Sequence, residues 1–336
     1  MVASRIARSR WRATLAGACL LVAACAAVDV EPPASRSALP AGVLSPWMSV
    51  SGGWLAGPPS AGGAVPPAFP PVAGPTLRRV LMRPVSVAAR GDDVYVADAG
   101  TRALYRYVRS ADRLQVLAAL GPVRPGMALG LAVDAGRSVY VADPASGRAY
   151  ALDPAGRLRT NYAAPHAQPM PVAIAVGGPR ADVLVADGAL QRVIRYNALG
   201  RPIGELPSDR VRFGEIVDLK TGPRGVYVLD RAARQVVVFE RGEVFADAYA
   251  VDEAADPIAL AVDRSGRVYV LDAADQTIVV YANGMPITRF GGIGSVPGRF
   301  VQATSIDADE NLVYVADAGN ARVQLLLAAP ESMRPR

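Results

Sequence analysis

The sequence predicts an all-β fold, a six-bladed β-propeller, from three observations. A strand-like motif of the form V-x-V-x-D occurs six times, and the first and last copies share the heptapeptide VYVADAG. Consecutive copies lie 42 to 45 residues apart, a spacing typical of one four-stranded blade. Apolar residues recur with period 2 or in short runs, and no stretch shows a helical stripe. The aspartates that end the six copies are Asp98, Asp143, Asp187, Asp230, Asp272 and Asp317.

The first 24 residues have the layout of a secretory signal. Four arginines precede the apolar segment Ala13–Ala24, which is too short to span a bilayer as a helix. The segment ends in Val22-Ala23-Ala24-Cys25, which resembles a bacterial lipobox. The resemblance implies that Cys25 is acylated, with palmitate among its acyl chains, and becomes the first mature residue. The alternative is an ordinary signal cleaved nearby, with Cys25 incidental. Because residue 26 is Ala rather than Asp, the resemblance also implies an outer-membrane lipoprotein that faces the periplasm.

Loss of this signal changes both the charge and the thiol count. The formal charge falls from +6 to +2, because residues 1–24 carry four arginines and no acidic residue. The basic excess therefore lies mostly in the signal, and nucleic-acid binding loses its main support. Cys19 leaves with the signal and Cys25 would carry lipid, so no thiol pair remains. We expect the packed core alone to stabilise the protein.

Residues 25–75 are expected to be a mostly disordered tether between the anchor and the body. Residues 26–75 hold 11 of the 28 prolines and show no strand or helix period. Trp47 and Trp54 lie in this segment, where they dock on the body, contact the membrane surface or remain disordered. The propeller is predicted to span residues 76–327, and residues 328–336 form a tail.

The sixth copy of the repeat is incomplete, because no fourth strand follows Val323–Leu327. Thr76–Met82 is a strand-like segment without a partner in its own repeat. We predict that it pairs as the outer strand of the last blade and closes the ring, which removes an open sheet edge. A closed ring of this kind predicts a monomeric propeller.

The copies resemble the NHL repeat, and the best match is Arg289–Leu325. Its glycine-rich stretch, Asp317, Asn320 and Arg322 fit the family pattern. The resemblance implies a six-bladed propeller that serves mostly as a binding scaffold, with a few enzymes among its relatives. The other copies depart from the pattern at the Asn and Arg positions, so membership alone implies no activity.

The repeated aspartates have two possible interpretations: a ring of metal ligands and a structural role. One Asp per blade spreads them around the ring rather than bringing them to one point. A strand-ending Asp accepts backbone N–H bonds from the turn that follows it. The sequence therefore favours the structural role.

Arginines lie in or near the same turns and in the connections between blades, which should share one face. Such a face would suit an anionic partner. The alternative is that each Arg pairs with a neighbouring Asp and lies flat on the surface. The candidate binding face carries Arg102, Arg124, Arg148, Arg192, Arg210, Arg212, Arg299 and Arg322.

An enzyme of the same architecture is the competing class. His166 is the single His of the chain, which gives little support to a Ser-His-Asp triad or a multi-His metal site. A metal-dependent lactonase or hydrolase would need carboxylates that converge on the central channel around Ca or Zn. The candidates are Glu215, Asp218 and Asp307. We expect instead a scaffold without a cofactor, which binds an envelope protein or an anionic polysaccharide.

Overall fold

The structure is a computed structural model that describes residues 43–51, 80–123, 129–177, 182–207, 210–240 and 244–329. These residues form six antiparallel sheets of four strands each. Their one helical element is a 3₁₀ turn at Ala318–Asn320. None of the described segments is a helix of the length and apolar character that crossing a membrane requires.

Each sheet is one blade, and five blades use four consecutive strands. Blade 1 contains β2 (Pro84–Arg90), β3 (Asp93–Asp98), β4 (Ala103–Val108) and β5 (Arg113–Ala119). Blade 2 contains β6 (Gly130–Val133), β7 (Val139–Asp143), β8 (Arg148–Leu152) and β9 (Leu158–Tyr162). Blade 3 contains β10 (Pro171–Gly177), β11 (Asp182–Asp187), β12 (Arg192–Tyr196) and β13 (Pro202–Glu205). Blade 4 contains β14 (Ile216–Gly222), β15 (Gly225–Asp230), β16 (Gln235–Glu240) and β17 (Phe245–Ala250). Blade 5 contains β18 (Pro257–Val262), β19 (Val268–Asp272), β20 (Thr277–Ala282) and β21 (Met285–Gly291). Blade 6 contains β22 (Ala303–Asp309), β23 (Leu312–Asp317), β24 (Arg322–Ala328) and, from the N-terminal side, β1 (Leu44–Val50).

The first strands of neighbouring blades contact one another around the whole ring, from β2 through β22 and back to β2. The predicted six-bladed propeller is therefore confirmed. Because successive strands are antiparallel, the ring has two distinct faces. The connection face carries the turns between second and third strands and the blade-to-blade connections. The hairpin face carries the turns between first and second strands and between third and fourth strands.

The repeated motif forms the second strand of each blade because its residues suit burial on both sides. In β3 (Asp93–Asp98) every residue is buried, since neighbouring blades cover both faces of the sheet. Fourth strands lie outermost, and all four residues of β13 are exposed. The apolar core of the described residues divides into six clusters, each of which lies between two adjacent blades. Packing between blades thus stabilises the ring.

An N-terminal strand closes the last blade as predicted, but the predicted segment is wrong. The closing strand is Leu44–Val50, which pairs antiparallel with β24 from Leu44↔Ala328 to Val50↔Val323. Of Thr76–Met82, residues 76–79 lie outside the described residues, and 80–82 form no strand. Arg83 alone separates that segment from β2, the innermost strand of blade 1. The outer edge of a four-stranded blade lies about 14 Å from its inner strand, a gap that one residue cannot span.

The closing strand lies within the segment interpreted as tether. Leu44, Met48 and Val50 are buried, and Trp47 packs against the cluster between blades 6 and 1. A bulge falls between Pro46 and Met48, which accommodates a proline that cannot donate to the ladder. The rest of the predicted tether and Trp54 lie outside the described residues, as does Cys25.

Candidate functional site

The central channel contains a cavity of about 110 Å³ to which all six blades contribute. Most of the residues that line it are aliphatic, but most of its accessible surface is polar. The lining includes Ala89, Leu131, Ile174, Lys220, Val262 and Asp307, one residue from each blade. Four of the six, Ala89, Lys220, Val262 and Asp307, lie in the later half of their first strands, so the cavity lies toward the hairpin face. Most polar groups of the wall come from blades 4 and 6.

Lys220, the single lysine of the chain, reaches across the channel from blade 4 to blade 6. Its Nζ lies 3.4 Å from Oδ1 of Asp307, and the two side chains are only 13% and 15% exposed. Both residues occupy the same level of the ring, because Lys220 pairs with Tyr227 and Asp307 pairs with Tyr314. The other four blades carry alanine at this level, which leaves room for the lysine side chain: Ala88, Ala132, Ala175 and Ala261.

Asp218 completes a group of three charged side chains in the channel. Burial raises the pKa of Asp218 and of Asp307, although the Lys220 ammonium opposes the rise. Burial alone would lower the pKa of Lys220, but the two carboxylates together raise it. Burial, rather than repulsion between the two carboxylates, therefore makes these groups bind a proton more readily than exposed aspartates do.

The channel carboxylates are also hydrogen-bonded to the backbone. The Leu260 N–H donates to Asp218 Oδ2 at 2.9 Å, and the Leu219 N–H donates to Oδ1 at 2.8 Å. The Ala89 N–H donates to Asp307 Oδ2 at 2.7 Å. Leu260 and Ala89 belong to the first strand of the next blade, whose inner edge has no neighbouring strand. Asp218 and Asp307 therefore satisfy backbone donors that face the channel.

This arrangement does not fit the metal site of the lactonase alternative. Asp218 and Asp307 converge on the channel, but Glu215 lies on the connection face and pairs with Arg231 at 3.5 Å. Both Asp218 oxygens accept backbone N–H bonds, and an ammonium lies against Asp307. Within the described residues, no three acidic, His or Cys side chains are grouped as a metal ion would require.

The repeated aspartates lie on the connection face, where they hold turns and connections in place. Asp230 Oδ1 accepts the Ala233 N–H of the following turn at 3.1 Å. Asp230 also accepts the N–H groups of Gly214 and Glu215, in the connection that precedes the blade. Asp98 and Asp317 likewise accept N–H groups from the preceding connection. Sequence reasoning anticipated only the bonds to the following turn.

His166 takes the place of such a backbone donor in blade 3. Its Nε2 lies 2.7 Å from Oδ2 of Asp187, and the imidazole is 22% exposed. In blade 4 the corresponding oxygen of Asp230 accepts the Gly214 N–H. The contact therefore orders the connection between blades 2 and 3.

The predicted arginines are spread around the connection face and differ in their surroundings. Arg322 donates to Asp317 at 2.8 Å and is 13% exposed. Arg192 pairs with Glu205 at 3.2 Å, and Arg148 donates to Asn161 at 3.0 Å. The exposed arginines of this set are Arg102, Arg148, Arg192, Arg210, Arg212 and Arg299. Arg124 lies outside the described residues.

Sequence reasoning missed Lys220, although a signal was available. Lys220 stands alone among 36 basic residues that are otherwise Arg, and it lies in a first strand. Alignment of the six first strands in register would have placed it level with Asp307.

Comparisons with solved structures show the same fold at low sequence identity. A gluconolactonase from Xanthomonas campestris matches with 15% identity and a TM-score of 0.55, over 74% of this chain and 87% of that chain. Virginiamycin B lyase from Staphylococcus aureus matches with 11% identity and a TM-score of 0.52, over 70% of this chain and 77% of that chain. The WD40 propeller domain of Doa1 matches with 11% identity and a TM-score of 0.52, over 75% of this chain and 94% of that chain. No protein-family profile and no curated protein matches the sequence. These likenesses establish the propeller fold alone.

Proposed function

We propose that this chain is an NHL-type propeller, anchored by lipid at Cys25, that serves as a binding scaffold in the bacterial envelope. Its connection face would bind an envelope protein or an anionic polysaccharide. The observation that carries this proposal is the chemistry of the channel. Its carboxylates are occupied by Lys220 and by backbone N–H groups, which suits a structural axis better than a metal-dependent hydrolytic centre.

The lactonase-like alternative has weaker support. A gluconolactonase shares the fold, but a likeness at 15% identity transfers no activity. The carboxylates that such an enzyme would use for a metal accept backbone N–H groups here, or lie against Lys220. Turnover of lactones or esters that requires Ca²⁺ or Zn²⁺ and is lost in Asp218→Asn would favour the enzyme.

The direction of the closing strand supports an anchored scaffold. Leu44 pairs with Ala328, at the end of the third strand of blade 6, and the Ala329 N–H donates to the Val43 carbonyl at 2.8 Å. The chain therefore enters β1 on the hairpin face. Eighteen residues separate Cys25 from Leu44, enough for about 60 Å when fully extended. An anchor at Cys25 would thus be joined to the propeller through the N-terminal end of β1, at the hairpin face rather than the connection face.

The test is affinity capture from solubilised envelope, with the wild-type chain and two charge-reversal variants. Arg212→Glu with Arg299→Glu changes the connection face, and Arg157→Glu with Arg201→Glu makes the same change on the hairpin face. All four arginines are exposed. We expect only the first variant to lose the captured partner, with reduced salt sensitivity of whatever binding remains. Equal capture by both variants would contradict the proposal.

A further inference from the structure

The connection between blades 5 and 6 exposes aliphatic side chains on a well-ordered loop. Ile293 is 70% exposed and Val296 is 61% exposed, and Pro297 beside them is also exposed. The loop begins at Gly291, the last residue of β21, and ends at Phe300, which is fully buried. Contiguous exposed apolar side chains often mark a protein interaction site.

Hydrogen bonds hold the backbone of this loop from both sides. Some lie within the loop, and others come from the second-to-third strand turns of blades 5 and 6 or from β24. The contacts are Gly292 N–H to Gln276 O at 2.7 Å, Phe300 N–H to Gly292 O at 2.9 Å, Gly298 N–H to Gln324 Oε1 at 2.9 Å, Asn320 Nδ2 to Gly294 O at 3.1 Å, Gln324 Nε2 to Arg299 O at 2.7 Å, and Arg322 Nη2 to Val296 O at 3.2 Å. Ile293 and Val296 are thus presented on an ordered backbone.

Glycine is required where the loop meets the closing strand. Gly298 has φ +80°, and a Cβ there would lie 2.9 Å from Pro46 and 3.0 Å from Phe290. The loop therefore packs directly on the seam that closes the ring. A pre-ordered loop loses little conformational entropy when a partner binds.

On the side of this loop that faces blades 6 and 1, the exposed charge is positive. On the connection face of blades 6 and 1, the described arginines include Arg102 and Arg299, both exposed. The described carboxylates of the same sector are Asp98 and Asp317, which are fully buried and hydrogen-bonded. This side thus presents guanidinium groups without exposed carboxylates, which suits an acidic partner. On the blade 5 side, the half-exposed Asp275 is paired with Arg289 at 3.1 Å.

The side chains favour a protein over a polysaccharide. Sugar-binding surfaces commonly stack aromatic rings on the sugar faces, and no aromatic residue in the described part of the chain is exposed. Branched aliphatic side chains instead fit an apolar side chain of a protein partner.

We propose that the Gly291–Arg299 loop is a docking site for an acidic protein segment that carries an apolar side chain among its carboxylates. This inference rests on the proposed function, because it names the partner class of the same face. Ile293 and Val296 hold the apolar side chain, and Arg299 pairs with the flanking carboxylates.

The test uses a displayed library of random 12-residue peptides as the probe, selected on the wild-type chain. The loop variant is Ile293→Ser with Val296→Ser. The matched control is Leu199→Ser with Val244→Ser, which removes side chains that are 76% and 66% exposed near hairpin-face turns. We expect selected peptides to combine Asp or Glu with Leu, Ile or Phe. Their affinity should fall about 30-fold in the loop variant and stay unchanged in the control.

Three results would overturn the docking site. They are a library that yields no peptide, selected peptides that lack acidic and apolar residues, and selected peptides that bind the loop variant as tightly as the wild type. Binding of polygalacturonate to the same variants distinguishes failure of the docking site from failure of the proposed scaffold function. If that polysaccharide binds in a manner that depends on Arg212 and Arg299 but not on Ile293 and Val296, the scaffold stands and the docking site is wrong. If peptides bind as expected but envelope capture does not depend on Arg212 and Arg299, the proposed function fails instead.

Discussion

Replacement of Lys220 by Met should destabilise the propeller in a pH-dependent way. The methionine keeps most of the aliphatic volume and removes the ammonium that lies 3.4 Å from Asp307. Asp307 and Asp218 then remain in the channel with their backbone N–H bonds but without a cation. The substitution therefore isolates the charge from the packing.

The magnitude follows from the distance and the burial. At an effective dielectric constant of about 20, unit charges separated by 3.4 Å interact by about 5 kcal/mol. Removal of one member of a buried ion pair typically costs about 3–5 kcal/mol. Because the N–H groups of Ala89 and Leu260 still stabilise the carboxylates, we expect a loss of about 3 kcal/mol near pH 8.

The sign of the pH dependence follows from the carboxyl pKa values. Asp218 and Asp307 have raised pKa values in the folded protein, so the folded state binds protons more tightly than the unfolded state. Such groups add stability at low pH, and this stability is lost as the pH rises through the raised pKa values. Loss of the Lys220 ammonium raises these pKa values further. The cost of Lys220→Met should therefore shrink as the pH falls from 8 toward 5.

Urea unfolding at pH 8, 7, 6 and 5 measures the free energy of unfolding of wild type and variants. Lys220→Met with Asp307→Asn should recover most of the loss, because the amide oxygen can still accept the Ala89 N–H. Arg224→Met is the matched surface control, since Arg224 is 44% exposed and pairs with Glu240 and Asp247. It should cost less than about 1 kcal/mol at every pH. A loss below about 1 kcal/mol for Lys220→Met at pH 8, or a loss independent of pH, would refute the reasoning.

The remaining predictions concern the anchor, the closing strand and one glycine. Cys25→Ser should leave an uncleaved precursor without metabolic lipid label, whereas normal processing would disprove the lipobox. Deletion of residues 26–42 should leave the melting temperature nearly unchanged. Deletion of residues 26–51 also removes the apolar side chains of β1, which should lower the free energy of unfolding by about 6 kcal/mol. The open edge of blade 6 should then cause aggregation. Equal melting temperatures for the two deletions would contradict the observed closure. Gly298→Ala should cost about 2 kcal/mol more than Gly266→Ala in urea unfolding, because both have positive φ but only Gly298 lies against other atoms.

Local repetition explains what was predicted well. In blade 5 the predicted V-x-V-x-D copy that ends at Asp272 forms β19, Val268–Asp272. Each blade is built from short hairpins, so pattern and turn residues near one another in the chain specify it. The carboxylates of the repeat aspartates accept N–H groups from nearby turns for the same reason.

Long-range pairing explains what was missed. Leu44–Val50 pairs with a strand almost 280 residues later, and its period-2 pattern does not distinguish it from Thr76–Met82. Only the geometry of the blade makes the choice, since a segment that ends one residue before β2 cannot reach the outer edge of blade 6. The high proline content of residues 26–75 favoured a disordered tether over a strand. An edge strand nevertheless tolerates proline at a bulge, as β1 does at Pro46.

By itself the sequence determined the fold class, the number of blades and the strand order, because the repeat spacing and alternation are local signals copied six times. The tertiary structure alone decided which segment closes the ring and which charged groups meet in the channel. Lys220 and Asp307 are 87 residues apart, and they meet only because closure places two blades across a narrow axis where alanines leave space. The tertiary structure likewise decides the exposure of Ile293 and Val296, because the loop that carries them is held by hydrogen bonds from turns of two different blades.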